Sequence, residues 1–271
     1  MIHSLPWRIG LMIVVTAATI VGYWIYAGPT PQPLAYHNFA DQRTMLGVPH
    51  ACNVLSNLPF VIVGIWGLAF MAGAGSRRPE TFVDRSERLP YWTYFVGLTL
   101  TGIGSAYYHA NPNNATLVWD RLPLTIAFMG LFTAILAERV HPWCARWLLA
   151  PLVVLGAASV FYWDWTESQG AGDLRPYFTV QFFPLFGLAF MLLLYPPRYT
   201  GSADLVASLA CYALAKIVEI LDTQIYTASG FVSGHTLKHL VAGLAAWFIL
   251  HMLQVRKPVV SNESCSVERL L

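Results

Sequence analysis

The chain has 271 residues, of which 56% are hydrophobic and only 11% charged, a balance that excludes an ordinary water-soluble domain and reads as an all-α polytopic membrane protein. Its formal net charge of +2 comes with no clustered basic face, which excludes nucleic acid as a partner. Four cysteines, Cys52, Cys144, Cys211 and Cys265, lack metal-type or redox spacing, so no disulfide framework is expected.

Apolar stretches recur at roughly 9–27, 52–73, 90–109, 116–137, 145–162, 176–195, 204–221 and 235–253. Each approaches the ~20 residues that a helix needs to cross ~30 Å of hydrocarbon, and lipid leaves the backbone no partners except its own. Eight transmembrane helices are therefore predicted. The first follows Arg8 and ends at the small residues Ala27 and Gly28. It is long for a signal-peptide core and shows no clear cleavage site, so residues 1–28 read as an uncleaved anchor. Residues 29–255 then form a seven-span core, and 256–271 a disordered cytoplasmic tail. The charged 74–89 segment reads as a solvated connection. Trp7, Trp92, Tyr107, Trp143, Trp163 and Trp165 read as an aromatic belt. His3, His37, His141 and His251 read as interfacial. Asn114-Ala-Thr116 formally fits a glycosylation acceptor, but it sits in a very short loop beside the membrane.

With a cytoplasmic amino terminus, eleven of the sixteen Lys and Arg residues fall inside. Only Arg43, Arg121 and Arg175 fall outside, and Lys216 and Lys238 lie within spans. That bias sets topology. It predicts an inner-membrane protein with both termini cytoplasmic, and it puts His109, Asp120, His235 and His239 together at the outer, periplasmic side. The connection from His109 to Asp120 is short, so the third and fourth spans must be antiparallel neighbours.

Ser105 and His109 are four residues apart, as are His235 and His239, so each pair shares a helix face. Two histidines at this spacing can grip one metal ion, and a third from a facing helix completes a three-histidine set with a fourth position left for water. An isolated pair of this kind is more often interfacial or a packing feature. The addition of His109 and Asp120 at the same membrane face favours a metal site, since ionisable groups within spans are costly and usually functional. Ser105 taken alone reads as a packing residue among Gly102, Gly104 and Ala106. Glu219 and Asp222 read first as a charge network with Lys216 or Arg121. Arg121 either tunes Asp120 or snorkels to the headgroups.

Three separated motifs carry a family resemblance: Asn53-Val-Leu-Ser-Asn57 opening the second span, Gly102-x-Gly-Ser105-x-x-x-His109 with Asp120 eleven residues on, and His235-x-x-x-His239. Together they resemble the alkaline ceramidase family, in a bacterial-type form, within the CREST superfamily of seven-transmembrane metal-dependent hydrolases, over roughly residues 35–255. The superfamily also resembles adiponectin receptors. The resemblance implies a CREST-like seven-helix bundle with one extra N-terminal span. It also implies zinc held by His109, His235 and His239, with Ser105 and Asp120 as catalytic groups. The implied reaction is hydrolysis of the N-acyl bond of ceramide-like lipids to a sphingoid base and a fatty acid. In that chemistry zinc lowers the pKa of water from ~15.7 to about 7, Asp120 moves protons and Ser105 supports the oxyanion. Relatives that bind calcium carry a glutamate three residues before the asparagine matching Asn53. His50 stands there in this chain, and Asp41 is the only acidic residue in the preceding loop, which argues against a calcium site.

Rival classes are a membrane metal-ion or proton transporter, a haem-binding electron carrier and a receptor-like protein with a non-catalytic zinc site. A transport path needs polar groups through most of the depth, and the inner halves of the fourth and eighth spans offer almost none. A structural zinc site is closed by four protein ligands, whereas this chain offers three histidines. No obligate protein partner is expected; the partners are the bilayer and a lipid substrate.

Overall fold

Segments this apolar can satisfy their backbone groups only internally, and every one of the eight stretches is helical. A computed structural model describes residues 5–259, and it contains no strand among them. In chain order the helices are α1 (Leu5–Tyr26), α2 (Ala51–Leu55), α3 (Leu58–Ala72), α4 (Arg88–Ala110) and α5 (Asn114–Arg139). There follow α6 (Trp143–Trp147), α7 (Leu149–Ser168), α8 (Arg175–Leu194), α9 (Ser202–Ile220), α10 (Asp222–Ser229) and α11 (Gly234–Val255). His3, Cys265, Arg269 and the tail beyond residue 259 lie outside the described residues.

Six elements are long and apolar enough to cross a membrane: α1, the α2–α3 pair over Ala51–Ala72, α5, α7, α8 and α11. Helices α4 and α9 are also long but are interrupted by polar and charged side chains. The first carries Thr93, Thr99, Thr101 and Ser105, and the second Asp204, Lys216 and Glu219. Ile62, Ile65, Val154, Leu155, Leu193 and Ile217 point outward from their helices and are exposed, as lipid contact requires and water would penalise.

The α4–α5 hairpin is the centre of the bundle. Glycines let its two helices touch through their backbones: a Cβ at Gly97 would meet Ala127, one at Gly130 would meet Tyr94, and one at Gly104 would overlap the Trp119 carbonyl. Around the hairpin pack α3, α7 and α8, while α9 pairs with α11. Helices α8 and α9 scarcely touch although they are consecutive. Helix α1 leans on α8, through Trp24 Nε1 to Thr179 Oγ1 at 3.2 Å and Arg8 to the Leu194 carbonyl at 2.8 Å.

The 74–89 segment is solvated only in part: Arg77, Arg78, Pro79 and Glu80 are exposed. It folds back through short 3-10 turns and buries Ser76, Thr81, Phe82 and Glu87. Glu87 accepts from Arg198 at 2.8 Å and from the Tyr199 hydroxyl, and burial raises its carboxyl above the usual range. Beside it Glu138 pairs with Arg256 and accepts from Tyr91 at 2.8 Å. This charged cluster closes the end of the bundle remote from His109, about 27 Å along α5 from Asp120 at ~1.5 Å per residue. Glu138→Ala leaves the Arg256 cation buried without its carboxylate. We expect it to lower stability by about 3–5 kcal/mol, read as a large fall in the thermal-unfolding midpoint in detergent.

Candidate metal centre

Two helix ends build the site. Helix α4 stops at Asn111-Pro112, and α5 restarts at once because Asn113 accepts from the Thr116 N–H at 3.0 Å while its own N–H donates to Thr116 Oγ1 at 3.2 Å. This tight reversal leaves His109 in the last turn of α4 and Asp120 in the second turn of α5. Helix α11 is capped by Ser233, whose Oγ accepts from the Thr236 N–H at 3.1 Å. Its first turn thus presents His235, with His239 one turn below.

The three imidazoles converge. His109, His235 and His239 are all buried, and one nitrogen from each lies within 4.8 Å of the others. Nε2 of His109 and Nε2 of His235 are 3.2 Å apart, close to the ~3.3 Å edge of a tetrahedron with metal–nitrogen bonds of ~2.0–2.1 Å. Ser56 sets the third ring. Its hydroxyl donates to the Asn53 carbonyl at 3.0 Å, so its oxygen accepts from Nδ1 of His239 at 2.8 Å. That bond puts the His239 proton on Nδ1 and leaves Nε2 with a free lone pair. A buried trio of imidazoles, one oriented in this way, suits a metal ion and could hold one. Ser56→Ala removes that orienting bond and is expected to weaken metal affinity roughly 10- to 100-fold, measured by competition with a chelator.

The surroundings seal the trio. Phe39 packs against the His109 and His235 rings at 4.6 and 4.4 Å, and Tyr108 stands beside His109 at 4.8 Å. Asp222 accepts the His235 N–H at 2.7 Å and the Ala40 N–H at 2.9 Å, tying the α11 start to the loop that carries Phe39. Asn53 accepts from Thr236 Oγ1 at 3.0 Å and so joins α2 to α11. Asp41 is buried and receives three hydrogen bonds from Arg43, which hold its carboxyl below the usual range. Its role is to shape this loop.

A cavity of about 140 Å³ opens beside the trio, lined by Ser105, Asp120 and His239 together with Arg121, Tyr177, Gln181, Lys216, Glu219 and Lys238. Asp120 has no ion-pair partner among the described residues. A second, apolar cavity of about 100 Å³ continues inward between α5, α8, α9 and α11, and shares Phe60, Leu124, Tyr212 and Ala242 with the first.

Several expectations change here. Arg121 does not snorkel; it is 3% exposed and stacks on Trp163 and Tyr177 at 4.2 and 4.5 Å. Trp163 is fully buried beneath it and so leaves the aromatic belt, whereas Trp7, Tyr107, Trp143 and Trp165 are exposed. His37 is half-buried, and its ring bridges the Tyr108 hydroxyl and Asn114 Oδ1, both at 2.9 Å. Asn114 is thereby engaged in the fold. Glu219 pairs with Lys216, and also with Lys238 at 2.9 Å, but not with Arg121, and Asp222 is a backbone anchor outside that network. Cys52, Cys144 and Cys211 are free. The role of Ser56 was not read from the sequence, although a hydroxyl at a helix break inside an apolar span is the kind of signal that points to it. No family model and no curated protein matches the chain.

Proposed function

We propose that the protein is a zinc-dependent intramembrane amidase of the alkaline ceramidase type, cleaving the N-acyl bond of a ceramide-like lipid to a sphingoid base and a fatty acid. The observation that carries this reading is the adjacency of the three buried imidazoles to a polar chamber with Ser105 and Asp120, itself continuous with an apolar one. That is the shape of an amphiphile. We read α4 and α9 as spans as well, which makes eight in all, a CREST-like core plus an anchor. The excess of Lys and Arg on one side puts both termini in the cytoplasm and the metal end outward. The loose seam between α8 and α9 borders both chambers and gives an acyl chain a route in from the bilayer.

His109, His235 and His239 would hold the ion. Zinc bound there supplies Lewis acidity, making water acidic and a carbonyl electrophilic. The side chains do the remaining work. The Asp120 carboxylate takes the proton of the attacking water and returns it to the leaving amide nitrogen. The Ser105 hydroxyl donates to the carbonyl oxygen as that oxygen gains negative charge. Phe39 and Tyr108 keep bulk water from the ring nitrogens, which strengthens each of these contacts.

A transporter would need polar groups onward from the site, but the inner chamber is lined by aromatic and aliphatic side chains with Ser208 and two tyrosines, and by no ionisable carboxylate, histidine or lysine. A dead-end pocket fits hydrolysis better. The test is purified protein in mixed micelles with a long-chain N-acyl sphingoid base. Release of fatty acid that stops on chelation and returns with zinc supports the amidase; undiminished release after complete metal removal overturns it.

A further inference from the structure

Resting on the amidase reading, we propose that the lipid amide carries an anionic oxygen group, a carboxylate, sulfonate or phosphate, on the amine side of the scissile bond, and that Arg121 binds it. Arg121 follows Asp120 directly and lines the polar chamber. Lys216 and Lys238 line it too, and each already holds a carboxylate oxygen of Glu219. Arg121 has no carboxylate partner among the described residues. One nitrogen, Nη2, donates to the neutral Gln32 Oε1 at 2.6 Å, and the other, Nη1, is buried with no acceptor.

A buried guanidinium costs free energy unless it is paired, and stacking on Trp163 and Tyr177 offsets only part of that cost. Trp163 Nε1 is a second buried donor without an acceptor, on the ring against which the guanidinium lies. A negatively charged oxygen brought by a ligand completes the Arg121 hydrogen bonds and balances its charge together. The position follows from the two chambers. The apolar one takes the acyl chain, so the amine half is left in the polar one with Arg121. Asp120 and Arg121 line the same chamber, so the anionic group lies on the side of the nitrogen that Asp120 protonates. A headgroup with hydroxyls alone would leave the cation unpaired, so among ceramide-like lipids the plain N-acyl sphingoid base is expected to be the slower substrate and a form with an anionic headgroup the faster.

The test compares two amides of one acyl chain, N-palmitoylglycine and the uncharged N-palmitoylethanolamine, with the wild-type protein, Arg121→Gln and Arg121→Lys. Wild type is expected to favour the anionic amide in kcat/KM by roughly 10- to 100-fold, the worth of one charge-assisted hydrogen-bonded contact. Arg121→Gln should erase most of this preference through KM at unchanged metal content, and Arg121→Lys should restore part of it. Equal wild-type rates on the two amides, or equal slowing of both by Arg121→Gln, overturn the proposal, and the first of these needs no variant to fold. Should neither amide be cleaved, the amidase reading rests on its own test with an N-acyl sphingoid base, and binding decides the anion site. Thermal stabilisation of wild type by hexadecyl sulfonate, not matched by hexadecanol and lost in Arg121→Gln, retains it. Equal stabilisation by the two amphiphiles removes it.

Discussion

His235→Ala is expected to take bound metal from near one ion per chain to less than about a tenth, and lipid-amide hydrolysis with it by at least about 1000-fold, since a metal ion contributes several kcal/mol to such a reaction. Two imidazoles that must be brought from separate helices, α4 and α11, make a poor site without the third. The fold should survive. Asp222 grips the backbone N–H of residue 235, and Ser233 still caps α11. Helical circular dichroism is therefore expected to stay at the wild-type level. His251→Ala provides the contrast, because that ring stacks on Trp247 and meets Asp204 near the far end of α11. Metal content and activity should both be retained there.

Asp120→Asn is expected to slow hydrolysis by roughly 10²- to 10⁴-fold, mostly in kcat, while leaving the metal content intact. The amide is the same size as the carboxylate and still lines the chamber, but it can neither take nor return a proton. Measured beside His235→Ala, it separates the two halves of the mechanism. Loss of metal in Asp120→Asn would make Asp120 a ligand; unchanged kcat would remove it from the chemistry.

Much of the site was legible because its residues are spaced by rules that a single helix obeys. His235 and His239 fall on one face of an α-helix, and the ten residues from Ala110 to Trp119 leave α4 and α5 no choice except an antiparallel return. Both relations are local. What escaped the sequence reading depends on contacts between distant segments. Ser56 reaches His239 across 183 positions, and Phe39 covers two histidines from a loop whose composition gives no periodic signal. Trp163 sits near a helix end, where an aromatic belt is the reasonable reading, yet it faces inward because Arg121 arrives from α5 to stack on it. The 74–89 segment shows the same limit: its charges are Glu87 and Arg88 as much as Arg77 and Arg78, and pairing with Arg198 and Tyr199 from beyond α8 buries Glu87. Polarity alone does not say which charge will find a partner. The six apolar spans follow from composition, while α4 and α9 are interrupted by polar and charged groups, of which Ser105, Lys216 and Glu219 line the chamber.

The most direct measurement is X-ray absorption at the metal edge of protein purified with zinc. Three imidazole nitrogens at about 2.0–2.1 Å with one further light atom is the result expected if His109, His235 and His239 hold the ion. A sphere of sulfur or carboxylate ligands, or a zinc signal that keeps three imidazoles in His235→Ala, would contradict it.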